Sequence, residues 1–174
     1  SFVGSDPALV DGTIYDIVFI SADTAGNPGN DTISTVTYDT TAPMGALTFS
    51  HLFVSEDSVL TITVQFDERI LPTPTITIDY ADDLDDVLAA DLDMTPGDST
   101  VWFYDALTPG GESNDGPVLI LIDATDLAGN ALVPNDLTQT DTVYLDNTLP
   151  SVSLSYSNLT QPTVINKGKA GDLI

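Results

Sequence analysis

An internal repeat constrains the fold of this chain more than any other feature. Residues 14–43 read IYDIVFISADTAGNPGNDTISTVTYDTTAP, and residues 118–150 read VLILIDATDLAGNALVPNDLTQTDTVYLDNTLP. Both copies contain an apolar segment, the motif Asp-x-Ala-Gly-Asn, a polar stretch, a segment with Tyr, and the motif Asp-x-Thr-x-Pro. The two motifs recur after 103 and 107 residues, which is the size of a small domain. The chain therefore contains two copies of one structural unit.

Each Asp-x-Thr-x-Pro motif predicts a boundary between two units. After Pro43 the sequence continues as MGALTFSHLFVSEDSVLTITVQF, and after Pro150 as SVSLSYSNLTQPTVINKGKAGDLI. Both continuations begin with a strand-like segment, and the second stops where the counterpart of residues 59–66 would begin. We therefore expect the C-terminal part of one module at residues 1–43, a complete module at residues 44–149, and the N-terminal part of another at residues 150–174.

The complete module reads as short strands separated by turns rich in Gly, Pro, Asn and Asp. Apolar residues alternate with Thr and Gln from Leu60 to Phe66, which predicts a strand with one buried face. Residues 118–122 are apolar without alternation, which predicts a central strand covered on both faces. Residues 82–94 fit either a short amphipathic helix or an Asp-rich loop with a strand, and we favour the second. The predicted strands span residues 46–50, 58–66, 74–80, 88–94, 99–105, 117–125 and 140–146, which indicates an all-β sandwich.

The charge of the chain disfavours several classes of partner. It contains 27 acidic residues and three basic ones (Arg69, Lys167 and Lys169), for a formal net charge of −24. Coulomb repulsion therefore opposes binding to nucleic acid and to anionic membranes. Only three of the acids are Glu, and Asp favours loops over helices, so we expect the charge at the ends of strands. Bound Ca²⁺ and adaptation to saline surroundings are both open as explanations.

Composition also limits the fold and its chemistry. Apolar residues make up 42% of the chain, enough for a sizeable core and too many for a disordered acidic tail. Cysteine is absent, so disulfide and thiolate chemistry are excluded. No apolar run approaches the ~18 residues that cross a bilayer, so we expect no membrane insertion.

Catalysis finds little support in the sequence, and we expect that the protein is not an enzyme. His51 is the only histidine, and no serine lies in a nucleophile-elbow motif. Paired carboxylates carry no information in a chain with 27 acids. Trp102 and Tyr104 would share one face of a strand, and their exposure would favour a carbohydrate- or protein-binding module.

The repeated motifs resemble those of the bacterial immunoglobulin-like repeats of large surface adhesins. They are Asp-x-Ala-Gly-Asn at residues 23–27 and 126–130, and Asp-x-Thr-x-Pro at residues 39–43 and 146–150. The resemblance implies immunoglobulin-like β-sandwiches in tandem, in a rod that Ca²⁺ often stiffens at the junctions. It implies a non-enzymatic structural or adhesive spacer at the cell surface or outside the cell. Its partners would be the neighbouring modules of the same chain and a host or environmental surface ligand.

Immunoglobulin-like topology would bring loops with oxygen ligands, the kind that Ca²⁺ prefers, to both ends of the complete module. Where the first linker enters, the candidate ligands are Asp39, Asp67, Glu68, Asp126 and Asn130, joined by Asp11 of the preceding module. Where the second linker leaves, the candidates are Asp146 and Asp57, with Glu56 and Asp115 nearby.

Two alternatives stay open beside the calcium hypothesis. Asp and Asn of the motifs would also close turns through side-chain to backbone hydrogen bonds, with Gly26 and Gly129 at positive φ. If residues 1–174 were a mature chain, the partial modules would expose sheet edges, and chains would complete each other by strand exchange into a homo-polymer. We favour a spacer from a repetitive protein, because the repeat predicts similar modules on both sides.

Overall fold

The computed structural model describes residues 8–82, 84–95 and 98–153, so most of the third predicted module, residues 150–174, lies outside the described residues. Strands, loops and two 3₁₀ turns, Glu112–Asn114 and Pro134–Asp136, make up the structure, and the all-β prediction is confirmed. Among these residues no helix is long and apolar enough to cross a membrane. The strands in chain order are β1 Thr13–Ala22, β2 Pro28–Tyr38, β3 Gly45–Phe49, β4 Phe53–Val54, β5 Val59–Phe66, β6 Thr75–Asp79, β7 Val87–Asp91, β8 Asp93–Met94, β9 Val101–Leu107, β10 Gly116–Asp123, β11 Leu137–Thr138 and β12 Val143–Leu145.

Ten of the strands form two five-stranded sheets. Their orders are β11-β3-β5-β9-β8 and β4-β12-β10-β6-β7. Neighbouring strands are antiparallel, except that β11 runs parallel to β3 and β4 runs parallel to β12. The chain passes from one sheet to the other between β3 and β4, so residues 45–54 contribute to both sheets.

One apolar core lies between the two sheets, because strands of both sheets direct alternate residues into it. In β5 and β6 the alternation is regular, and the predicted buried face of Leu60 to Phe66 is confirmed. From the first sheet the core includes Leu47, Leu60, Ile62, Val64, Phe66, Trp102 and Ala106. From the second sheet it includes Val54, Ile76, Ile78, Val118, Ile120, Val143 and Leu145. The structure is therefore consistent with a β-sandwich.

Strand β10 corrects one expectation from the sequence. Its continuous apolar run predicts a strand covered on both faces, but only Val118 and Ile120 are buried, while Leu119 and Leu121 are about half exposed. The prediction is wrong because apolar character alone does not tell a covered outer face from an apolar surface that faces solvent.

The segment at residues 88–94, predicted as one strand, is divided between the two sheets. Strand β7 pairs with β6, whereas β8 pairs with β9. Leu92 lies between them and is buried in the core, so the chain crosses from one sheet to the other at this residue. The helical alternative for this region is excluded by the observed strands.

Strands β1 and β2 form a separate antiparallel hairpin, with Thr13 opposite Tyr38 and Ala22 opposite Pro28. No residue of the hairpin belongs to the core cluster. Apolar side chains on both of its strands are exposed, including Ile14, Phe19, Ile20 and Ile33. By its motifs the hairpin corresponds to the β10–β12 region of the sandwich.

Neighbouring residues of β10 test the assignment of its two faces. Replacing Ile120 with Ala should lower the free energy of unfolding by about 3 kcal/mol, because it leaves a cavity in the core. Replacing Leu121 with Ala should change it by less than about 1 kcal/mol, because that side chain already contacts solvent. Urea unfolding followed by Trp102 fluorescence measures both values. Equal losses in the two variants would contradict the assignment.

Candidate metal centre at the linker

The turn at residues 126–130 is organised around the carboxylate of Asp126, which follows β10. Its Oδ1 accepts the backbone N–H groups of Ala128, Gly129 and Asn130 at 2.7–2.9 Å, and its Oδ2 accepts Asn130 Nδ2 at 2.8 Å. Gly129 has φ 98°, a conformation that a residue without a Cβ adopts readily. The turn-closing role predicted for Asp and Asn is therefore confirmed here.

The first copy of the motif makes the same turn. Asp23 accepts the backbone N–H groups of Ala25 and Asn27 at 2.8 Å and the Asn27 side-chain amide at 2.7 Å. Gly26 occupies the position with positive φ, at 87°. The two turns differ in burial: Asp23 is exposed, whereas Asp126 is only 2% exposed. The repeat thus extends to individual hydrogen bonds, while the surroundings of the two turns differ.

The linker, defined as residues 39–44, is fixed to the hairpin by Asp11. This carboxylate accepts Thr40 N at 2.6 Å, Thr40 Oγ1 at 3.0 Å and Thr41 Oγ1 at 2.5 Å. The hydrogen bond from the Thr41 hydroxyl, followed by those from Thr40, lowers the pKa of Asp11. Asp39 itself accepts Thr41 N at 3.0 Å.

The second Asp-x-Thr-x-Pro motif has an equivalent arrangement. Asp115 accepts Asn147 N and Thr148 Oγ1, both at 2.7 Å, and Asp146 accepts Thr148 N at 3.0 Å. The hydrogen bond from the Thr148 hydroxyl is the largest cause of the lowered pKa of Asp115. An Asp-Gly pair at the start of a strand, Asp11-Gly12 at β1 or Asp115-Gly116 at β10, therefore holds the segment that carries the Asp-x-Thr-x-Pro motif.

The linker is also bound to the sandwich. Asn130 Nδ2 donates to the carbonyl oxygen of Asp39 at 3.3 Å, and Met44 N donates to Asp67 Oδ1 at 2.8 Å. Asp67 precedes Glu68 in the loop after β5, and Asn130 closes the turn after β10. Two loops of the sandwich thus contact the linker at its two ends.

Three carboxylates meet at this contact. Oxygen atoms of Asp39, Glu68 and Asp126 all lie within 4.8 Å of one another. Two oxygens on opposite sides of a Ca²⁺ ion are about 5 Å apart, since each lies 2.3–2.6 Å from the ion. The three groups could therefore contact one Ca²⁺ with little movement.

The electrostatics of this group favour a cation. Burial raises the pKa of Glu68, and the nearby charges of Asp126, Asp39 and Asp67 raise it further. Arg69 is the only Lys or Arg among the described residues, and its Nε donates to Ser99 Oγ at 3.0 Å. Although Arg69 directly follows Glu68, none of the described hydrogen bonds joins it to the three carboxylates, and a divalent ion would relieve their repulsion.

The remaining candidate ligands have other roles in the structure. Asp67 and Asn130 border the group of three but hydrogen-bond to the linker, and Asp11 binds Thr40 and Thr41 from the other side. At the second linker, Asp57 is exposed, and Asp146 accepts a hydrogen bond from Thr148. Within the described residues, no second group of three acids is close enough to share an ion.

Comparison with known proteins gives no family assignment. No protein-family model matches the chain, and no curated protein matches it. The likeness to bacterial immunoglobulin-like repeats therefore stays a prediction.

The pKa of Asp126 provides a test of whether its ionised carboxylate stabilises the turn at residues 126–130. Burial alone would raise this pKa, but the hydrogen bonds from Asn130, Gly129 and Ala128 outweigh it, and the pKa lies below its ordinary value. The ionised form therefore stabilises the fold above about pH 4, and this stabilisation is lost as the pH falls through the folded-state pKa.

We expect Asp126→Asn to lower the free energy of unfolding at pH 7 and to weaken its decline between about pH 4 and pH 2. The control is Asp31→Asn, at an exposed position on the hairpin. Urea unfolding at several pH values measures both effects. A pH dependence identical to that of the wild type would contradict the role given to Asp126.

Proposed function

We propose that this chain is a non-enzymatic spacer from an extracellular surface protein, built from immunoglobulin-like modules in tandem, with Ca²⁺ bound where the linker enters the complete module. The observation that carries the proposal is the position of the linker between two sets of contacts. Asp11 holds it on the hairpin side, and Asn130 and Asp67 hold it on the sandwich side, beside three carboxylates.

Strand order supports the immunoglobulin-like assignment. In an immunoglobulin-type sandwich, strands A, B and E are neighbours in one sheet, and strands C, F and G are neighbours in the other. The order β3-β5-β9 corresponds to A-B-E, and the order β6-β10-β12 corresponds to C-F-G. The hairpin β1–β2, which carries the repeated turn, corresponds to strands F and G of a preceding module.

A cation at the linker would stiffen the junction by a simple physical mechanism. Asp39 belongs to the linker, whereas Glu68 and Asp126 belong to the sandwich. An ion shared by the three would connect the linker to the module and would remove the repulsion among the carboxylates. A spacer benefits from this restraint because a stiff junction keeps successive modules extended and holds a distal region away from the surface.

Thermal unfolding with and without Ca²⁺ tests the proposal. At fixed ionic strength, Ca²⁺ at one hundred times its Kd should stabilise the fold by about 3 kcal/mol, or roughly 10 °C in Tm, since the ion binds the folded form. Glu68→Gln should raise Tm slightly in EDTA, because repulsion is relieved, and should remove most of the rise caused by Ca²⁺.

Two controls accompany this experiment. Asp31→Asn removes one carboxylate from the hairpin and should keep the full response to Ca²⁺. Mg²⁺ at the same concentration should stabilise the wild type much less, because it retains its water shell. Equal shifts of Tm with Ca²⁺ and Mg²⁺, or an unchanged Tm response to Ca²⁺ in Glu68→Gln, would contradict the calcium part of the proposal.

A second candidate function, binding of a neutral carbohydrate, is favoured by one surface. Phe53 and Tyr144 stack at a centroid distance of 5.7 Å and an interplanar angle of 16°, and they are 75% and 42% exposed. Half-exposed Leu119 and Leu121 continue the apolar surface on β10. Flat aromatic and apolar surfaces fit the faces of sugar rings, and the net charge of −24 would repel anionic glycans.

The aromatic pair first considered from the sequence does not provide this surface. Trp102 is buried in the core, and its indole N–H donates to Ser99 O at 3.1 Å. The outer face of the first sheet mixes polar and apolar residues, and its aromatic residue Phe103 is largely covered rather than exposed. The exposed, stacked pair of Phe53 and Tyr144 makes the outer face of the second sheet the better candidate for a glycan surface.

Titration with neutral oligosaccharides tests this second function. The double variant Phe53→Ala/Tyr144→Ala should weaken binding at least about tenfold, because both stacking rings are lost. Phe19→Ala, which removes an exposed ring from the hairpin, should bind as the wild type does. If no neutral glycan in a broad panel binds, or if all three proteins bind alike, the carbohydrate function is wrong.

A further inference from the structure

The outer face of the second sheet carries a row of apolar rings on three neighbouring strands. Tyr144 on β12 lies opposite Phe53 on β4 and opposite Pro117 on β10, and directly opposed residues share a face of the sheet. Val143 and Leu145, on either side of Tyr144, are buried in the core, so the row faces outward. Pro117 is exposed, as are the two aromatic rings. The stacked pair is therefore part of a longer apolar surface.

This row leads to a carboxylate on the next strand. Leu119 lies two residues after Pro117 on β10, so it shares the outer face, and it is 52% exposed. Asp79, the last residue of β6, lies directly opposite Leu119. Strands β4, β12, β10 and β6 are consecutive neighbours in the sheet. Together they form a strip, defined as Phe53, Tyr144, Pro117, Leu119 and Asp79.

Asp79 differs from the carboxylates that shape the turns and linkers. Asp115 and Asp126 accept backbone N–H groups and so fix the segments around them. The side chain of Asp79 takes part in none of the hydrogen bonds within the described residues, although it is partly buried. Asp is depleted in strands, where it packs poorly. The strip therefore ends in a charged acceptor that is available to a ligand.

The length of the strip limits what fits it. Neighbouring strands lie about 4.8 Å apart, so the steps from β4 to β6 cover about 14 Å, enough for about three linked sugar rings. Strand β4 is at the edge of the sheet, so a longer chain can continue past Phe53. These dimensions fit an extended chain better than a compact ligand.

Resting on the carbohydrate function proposed above, we infer that the strip binds a linear neutral glycan laid across β4, β12, β10 and β6, with Asp79 as the residue that determines specificity. Sugar ring faces would pack on Phe53, Tyr144 and Pro117. Ring hydroxyls would donate to the Asp79 carboxylate, and hydrogen bonds to an ionised acceptor are stronger than those to a neutral one. A sugar without a hydroxyl at that point would leave the carboxylate covered and unpaired, so it would bind more weakly.

Calorimetric titration with neutral glucan, xylan, mannan and galactan oligosaccharides of increasing length tests the strip. Affinity should rise with chain length and level off once the strip is filled. Asp79→Ala should weaken binding of the best ligand at least about tenfold, because a charged acceptor is lost. Asp79→Asn should weaken it less, because an amide oxygen still accepts a hydrogen bond.

The matched control is Asp123→Ala, which removes the same charge from the same face of β10. Asp123 lies about 20 Å along the strand from Pro117, beyond the strip, so this variant should bind within about threefold of the wild type. Circular dichroism of each variant checks that the fold is kept.

The outcomes separate this inference from the carbohydrate function itself. If no neutral glycan binds the wild type, both are wrong. If a glycan binds the wild type and Asp79→Ala equally well, or if Asp123→Ala loses as much affinity as Asp79→Ala, the role of Asp79 is overturned and the carbohydrate function stands.

Discussion

The structure depends on how its carboxylates are stabilised, because the described residues contain a single basic side chain, Arg69. A carboxylate without a cationic partner needs N–H or O–H donors, and Asp126 meets that need most completely, with three backbone N–H groups and one side-chain amide. Those bonds fix the turn after β10 and place Asn130 against the linker. Without them, neither the linker contact nor the group of three carboxylates would have a defined geometry.

The two copies of the repeat show how context changes one local interaction. Asp23 and Asp126 make nearly the same hydrogen bonds, so the turn itself is determined by five consecutive residues. Only Asp126 is buried, because the linker and Glu68 lie close to it. Burial opposes ionisation of Asp126, and the same proximity raises the pKa of Glu68. At the linker the carboxylates of Asp126 and Glu68 therefore lie close together, whereas that of Asp23 is exposed to water. A cation would reduce the repulsion between the two.

The sequence predicts the elements of this structure better than their environments. Alternation identified the buried face of Leu60 to Phe66, and the motifs identified the turns, because both follow from local periodicity and side-chain chemistry. The exposure of Leu119 and Leu121 could not be predicted, since it depends on what covers the sheet. The crossing at Leu92 depends on the pairing of β7 and β8 with different sheets. The burial of Asn114, which ends the 3₁₀ turn Glu112–Asn114, could not be predicted either, because a single Asn before Asp-Gly gives no sign of what covers it.

The two linkers differ at the second position of the Asp-x-Thr-x-Pro motif. Asn147 replaces Thr40 at the second linker, and its side chain accepts Glu56 N at 2.7 Å and donates to Gly111 O at 3.0 Å. These bonds involve a neutral amide, so they hold the segment after β12 to the sandwich without any ion. At the first linker, the contact with the sandwich brings together Asp39, Glu68 and Asp126. The segment after β12 is thus held by hydrogen bonds from Asn147 and to Asp115, whereas a cation would add to the contacts between the first linker and the sandwich.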